Sequence, residues 1–383
     1  MARKALISIC LMLSIFGAIS AFAAEASTIK IGAILAVTGP NAPLGEPEKK
    51  TLEMLVEEAN KAGGIAGKKI ELIIMDSAGD SAKAVSAAKQ LIEESQVLAI
   101  IGPSTSGESL NIKTICDKGE TILLSCAANE GIVKPVAKWV FKTPQMDAFA
   151  VLRIFETMKK MGISKIGLVT SNSGFGQGGR AVVEKLAPEN GITIVIKEEY
   201  VKDATDLTGV LAKVKAQNVQ AVVNWSTEPA QAIIAQNMKQ IGFDVPLFQS
   251  HGFGNISYVR SAGKAAEGII FPCGRLLVAD ALPASNPQKQ VLMGYKNAYE
   301  GRYKEPVSTF GGHAYDAFLI LTEAIKKAGG TDKAKVRDAI EGIKGLAGTA
   351  GIFNFSATDH NGLTIDSFEM LTVKNGEFVV YQK

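Results

Sequence analysis

Short apolar runs alternate with amphipathic segments along this chain, and the whole alternation runs twice. Residues 29–36, 70–76, 97–101 and 121–125 read as strands, and 46–62, 81–94 and 106–118 carry helical periodicity between them. Gly63-Gly64 ends the first helix, and Asp80 or Ser81 caps the second. Strands separated by helices of this length lie parallel with right-handed crossovers. The pattern restarts with helices at 148–161, 175–187, 207–217 and 228–241, and with strands at 165–170, 192–200, 221–225, 246–249 and 269–271. The fold class is therefore α/β, with two doubly wound parallel sheets in tandem. Lys142-Thr-Pro-Gln-Met-Asp147 between them is short and reads as a hinge crossing. Beyond residue 271 come helices at 287–302, 315–327 and 333–343 and strands at 352–355, 367–373 and 377–380. Lys374-Asn-Gly376 is a hairpin turn signal. This irregular tail is expected to complete the two sheets.

The first 24 residues read as a secretory signal peptide: Arg3 and Lys4, an apolar run over 5–19, and a small-x-small site at Ala21-Phe-Ala23, with Ala24-Glu-Ala26 as a second option. Cys10 lies inside the apolar run, so no lipoprotein attachment is expected. The reading is export to a periplasm, with no membrane-spanning segment after the leader. Charges nearly balance, at 41 Lys+Arg against 38 Asp+Glu, and no basic block marks a nucleic-acid surface. Beyond Cys10 lie Cys116, Cys126 and Cys273, an odd number without C-x-x-C spacing. They read as packed thiols, with Cys116–Cys126 pairing as the alternative. No metal-ligand cluster and no cofactor site is expected.

The stretch 98–109, Leu-Ala-Ile-Ile-Gly-Pro-Ser-Thr-Ser-Gly-Glu-Ser, reads as strand, turn and helix start. Unpaired N–H groups there, with hydroxyls around them, suit a small carboxylate. Capping of the helix by Ser106 alone is the other reading. Gly174-Phe-Gly-Gln-Gly-Gly179 matches the dinucleotide fingerprint literally, but the preceding strand ends three residues too early and Phe175 would obstruct a pyrophosphate. No catalytic set is present, so an enzyme is not expected. His313 and His360 read as ordinary capping or surface histidines. His251 follows a strand, as do Ser106, the 127–129 segment, Phe175 and the 225–227 segment. Ligands of open α/β sheets bind beyond the carboxyl ends of strands, so these five positions together suggest a cleft between two lobes.

The same residues carry a family resemblance. Ile31-Gly-Ala-Ile-Leu-Ala-Val-Thr-Gly-Pro40, Asn60-Lys-Ala-Gly-Gly-Ile-Ala-Gly67, Ile101-Gly-Pro-Ser-Thr-Ser-Gly107, Ala266-Glu-Gly-Ile269 and Gly312-His-Ala-Tyr-Asp316 resemble, in order and spacing, motifs of the leucine/isoleucine/valine-binding proteins of ABC importers. The resemblance implies a type I periplasmic binding fold, with two lobes joined by three hinge crossovers. The lobe ranges it suggests are 27–143 with 274–360, and 146–272 with 361–383. It implies that Thr105 and Ser106 hold a carboxylate, that Ala127, Ala128 and Asn129 supply further contacts, and that Leu44, Phe175, Trp225, Ser226 and Phe310 line the pocket. His251 stands where amino-acid binders of the family place an acid for the α-ammonium, and Gly79 and Thr105 stand where some relatives have a disulfide. Relatives with a Ser-His-Gly turn resemble binders of aromatic carboxylates. The expected function is capture of a small hydrophobic or aromatic carboxylate by a monomer that serves an inner-membrane permease and its ATPase. The alternatives are a hydrophobic amino acid, with Glu228 or Asp147 serving the ammonium, and a ligand-presenting sensor module.

Overall fold

The computed structural model describes residues 28–382. The expected leader, residues 1–24 with Cys10 and both cleavage options, lies outside them. Strands β1 (Ile29–Leu35), β2 (Ile70–Asp76), β3 (Ala99–Ile101), β4 (Ile122–Ser125) and β5 (Val140–Lys142) form one parallel sheet in the order β2-β1-β3-β4-β5. Strands β6 (Lys165–Ser171), β7 (Thr193–Tyr200), β8 (Ala221–Trp225), β9 (Leu247–Gln249) and β10 (Ile270–Cys273) form the parallel part of the second. A ribbon of β11 (Leu346–Ala347) and β12 (Ile352–Phe353) stands apart. Strands β13 (Glu369–Lys374) and β14 (Glu377–Val380) extend the second sheet antiparallel to β10, giving the order β14-β13-β10-β9-β8-β6-β7.

Side-chain alternation puts both faces of each sheet to use. In the first sheet, Ile31, Ala33, Leu35 and Ile101 pack against helices Ala42–Lys61 and Thr309–Ala328. Ile34, Ile100 and Leu123 pack against helices Ser81–Lys89 and Ser106–Lys118 on the other face. In the second, Val169, Val222 and Phe271 join one core, and Ile166, Leu168, Val223 and Phe248 join another with helices Asp147–Met161 and Gly174–Leu186. The chain passes between the sheets three times: after β5, after β10, and between β12 and β13.

Two expectations change, and the packed-thiol reading of the cysteines holds. The strand placed at 352–355 stops at Phe353 and joins the small ribbon instead of a main sheet, because Asn354 turns to accept the Gly345 N–H at 2.9 Å. Strand β5 was not anticipated. The three cysteines are free and buried: Cys116 and Cys126 pack in cores on opposite faces of the first sheet, so they do not pair. Among the described residues, no helix is long and apolar enough to cross a membrane.

Candidate functional site

Both sheets reverse strand order at one point, between β1 and β3 and between β6 and β8. The carboxyl ends flanking these switch points face one shared cleft. Beyond β3, Thr105 caps helix Ser106–Lys118: its hydroxyl accepts from Glu108 N, and Glu108 Oε2 accepts from Thr105 N at 3.2 Å and from its hydroxyl at 2.6 Å. This reciprocal pairing satisfies the helix start. Ser106 is therefore not the cap, and its hydroxyl accepts only from Asn129 N, at 3.3 Å, which leaves its proton to donate. Ser104 donates to the buried Glu48, whose carboxyl burial pushes well above its usual range.

From the second sheet, helix Gly174–Leu186 follows β6 with Ser173 as its cap. Its glycines are explained by packing. A Cβ on Gly176 would lie 2.1 Å from the Ser171 carbonyl oxygen, one on Gly179 would lie 2.1 Å from the Trp225 indole, and one on Gly178 would lie 2.1 Å from Asn129 Nδ2. The fingerprint spacing thus serves close approach within the protein. Phe175 projects from the first turn of this helix into the cleft.

His251 lies in the short turn His251–Phe253 after β9. The edges of three rings fix it: Phe175 at 5.3 Å, Trp225 at 5.8 Å and Phe368 at 5.5 Å between centroids. Burial holds its imidazole well below the usual range, with further push from Lys142 and His313. Lys142, at the end of β5, is fully buried and donates to the carbonyls of Ala128, Pro144 and Gln145 at 2.7, 3.0 and 3.0 Å.

The cavity between these elements has a volume of about 30 Å³. Leu44, Thr105, Ser106, Ala127, Ala128, Phe175, His251 and Phe310 all line it. Asn129, Trp225 and Ser226 do not. Asn129 spans the cleft, donating to the Gly174 carbonyl at 2.7 Å. Trp225 is fully buried behind Phe175 and His251. Ser226 turns to Glu228 at 2.6 Å, and Thr227 N also donates to Glu228, so this carboxylate is occupied within its own turn. Ser104, Cys126, Pro144, Thr227, Gly252 and His313 complete the wall.

Two histidine readings are corrected. His313 is neither cap nor surface residue: helix Thr309–Ala328 begins four residues earlier, and burial pushes the His313 imidazole down to about 3. His360 is buried and stacked on Phe141, with Nδ1 2.8 Å from the Val140 carbonyl oxygen.

Four helices contribute residues of their first turns to the wall: Leu44, Ser106, Phe175 and Phe310. Helix N-termini carry partial positive charge and free N–H groups, so the cleft favours an anion. Among the described residues, no acidic side chain lies on the wall. Among the described residues, no group of three or more His, Cys, Asp or Glu could hold a metal.

Two α/β lobes that share one cleft at their switch points define a two-lobed solute-binding fold. A family model described as periplasmic binding protein matches residues 28–377, and the chain belongs to that family. The leucine-, isoleucine-, valine-, threonine- and alanine-binding protein of Pseudomonas aeruginosa is 27% identical over 368 residues, spanning 95% of this chain and 92% of the relative. An extracellular ligand-binding receptor from Rhodopseudomonas palustris HaA2 superimposes with a TM-score of 0.87 at 28% identity, covering 93% of this chain and 100% of the other. The branched-chain amino acid transporter substrate binding protein LivJ from Streptococcus pneumoniae, solved with isoleucine, gives 0.81 at 28% identity, covering 92% and 98%.

Proposed function

We propose that this chain is the periplasmic binding component of an ABC importer, and that it captures a small carboxylate without a free ammonium group. One observation carries the reading. The wall offers helix N-termini and the Ser106 hydroxyl at one end, and two neutral histidines elsewhere, but among the described residues no acidic side chain. A buried ammonium without an opposite charge is costly, whereas a carboxylate finds donors in place. Phe175 and Phe310 give the ligand body an apolar, ring-compatible surface. The lobes close on the ligand about the three crossovers and hold it without chemistry. A permease with its ATPase then receives it.

The names of the relatives favour a second reading, a branched-chain amino acid. Asp147 and Glu228 are the acids the sequence offers for its ammonium, but Asp147 lies behind His251, Glu228 is taken up in its own turn, and neither lines the cavity. A thermal-shift series separates the two, using benzoates, cinnamates, short fatty acids and leucine, isoleucine and valine. A ligand at a hundredfold excess over its Kd adds about 2.7 kcal/mol of stability. The proposal expects that shift from an acid lacking an amino group. A shift from the branched-chain amino acids alone refutes it.

A further inference from the structure

Asp147 is a buried acid to which ligand capture gives no task. It opens helix Asp147–Met161 and is completely buried, and its Oδ1 lies 3.7 Å from His251 Nε2. Among the described residues, neither His251 ring nitrogen has a partner in hydrogen-bond geometry, and the Asp147 oxygens meet no close one, although the Trp225 indole N–H and the Glu130 backbone bear on that carboxyl. Buried polar groups in folded proteins are paired, so this cluster has an unmade bond. The three aromatic edges around His251 confine its ring to one slot, and a small pivot there brings Nε2 within reach of Oδ1. Bonds of this kind are often long until a ligand tightens them.

Charge acts on the pair from several sides. Burial raises the Asp147 carboxyl to about 8, while the Lys142 ammonium beside it and the first turn of its helix favour the ionised form. Lys142 itself donates to three carbonyls, the full complement of an ammonium. The titratable groups around the pair are Lys142 from β5, His313 from helix Thr309–Ala328 and Glu130 from the turn Glu130–Ile132. Lys142 and His313 both disfavour a second proton on His251.

We infer that Asp147 is the positioning residue of His251: its carboxylate takes the Nε2–H and leaves Nδ1 as the lone-pair acceptor that His251 offers to a ligand. The inference rests on the proposed function and narrows it. A carboxylate seated at Ser106 must then bring a second group, an O–H or N–H donor, to His251.

The chain has three histidines, so ¹⁵N-histidine spectra of the whole protein can be assigned with His251→Gln, His313→Gln and His360→Gln. The ligand-free wild-type protein should show His251 as the Nε2–H tautomer at pH 9, above the raised range of the Asp147 carboxyl. Asp147→Asn, whose amide can donate to Nε2, should move the proton to Nδ1; an acid that orients an imidazole acts through its tautomer in this way. An Nδ1–H tautomer in the wild type overturns the inference, as does an unchanged tautomer in Asp147→Asn. The wild-type spectrum decides even where the variant does not fold. Benzoate and 4-hydroxybenzoate then serve as binding probes. The hydroxyl should gain about tenfold in affinity in the wild type and lose that gain in Asp147→Asn; an equal gain in both proteins also overturns the inference. Failure of both probes to bind counts against the carboxylate reading, while the tautomer still decides the role of Asp147.

Discussion

At the scale of single residues, the division of work between Thr105 and Ser106 decides how the site is read. Either hydroxyl could cap the helix, and sequence alone does not say which does. The capping box with Glu108 assigns that task to Thr105, so Ser106 is free to donate to an anion. Ser106→Ala should weaken the ligand found in the acid series by about tenfold or more, the value of one hydrogen bond to a charged group. Stability without ligand should hardly change, because no cap is lost. Isothermal titration beside thermal melts checks both halves, and unchanged affinity removes Ser106 from the site. His313 shows the opposite limit of reading. Thr309-Phe-Gly-Gly312 looks like a loop by propensity, yet it is the first turn of a helix. Its glycines allow close packing: a Cβ on Gly311 would stand 2.4 Å from the Tyr295 hydroxyl, and one on Gly312 2.7 Å from Thr349 Oγ1. Tertiary contact overrides propensity there, and the local signal is the Ser308 N-cap, whose hydroxyl accepts from Gly311 N at 3.3 Å.

At the scale of elements, the strands and helices that alternate regularly were legible because burial imposes a period on each of them. What escaped was short or oddly composed. Strand β5 is three residues long and ends on a buried lysine, whose ammonium is satisfied by three carbonyls that no sequence pattern announces. Strand ends pointed to part of the cleft wall, at Ser106, Ala127, Ala128, Phe175, Thr227 and His251, but not to Ser104, Cys126 or Gly252 beside them. Nor was the wall legible at Pro144 or His313, which reach it from a crossing and from a distant helix. Helix Gly174–Leu186 gives an element-scale prediction. Gly178 abuts the Asn129 amide that bridges to the Gly174 carbonyl. Gly178→Ala should displace this amide and hinder the approach of the two lobes, lowering ligand affinity about tenfold. A helix-interior alanine favours the helix itself by up to about 1 kcal/mol, so the ligand-free melt should not fall. Gly209→Ala is the control, because a Cβ at Gly209 meets nothing within 4 Å. It should leave affinity alone. Equal effects of the two variants on binding would mean that the Asn129 bridge plays no part in closure.

At the scale of the whole molecule, closure joins ligand capture to protons. The two lobes meet through direct bonds on both flanks of the cleft: Asn129 to the Gly174 carbonyl at 2.7 Å, and Asn255 to the Pro43 carbonyl at 2.9 Å. In this closed arrangement His251 and His313 are enclosed, and both imidazoles are held below their ordinary range, His313 down to about 3. Parting the lobes returns water to the cleft and to both rings, and it should restore them toward about 6.5. The sign follows from linkage. A base whose protonation is disfavoured in the closed form contributes to closure fully above about 6.5 and loses that contribution as pH falls. Affinity should therefore be flat from pH 8 to 7. It should then fall by about tenfold per pH unit for each histidine that titrates, with the His313 contribution continuing toward pH 3. His313→Gln should make the acid limb shallower by one proton while leaving the affinity above pH 7 within a few-fold. Titrations between pH 8 and 5 with a carboxylate whose own pKa lies near 4 isolate the protein's protons. A rise in affinity toward pH 5 would mean that an imidazolium forms against the ligand's charge, and it would reverse the reading of both histidines as neutral partners.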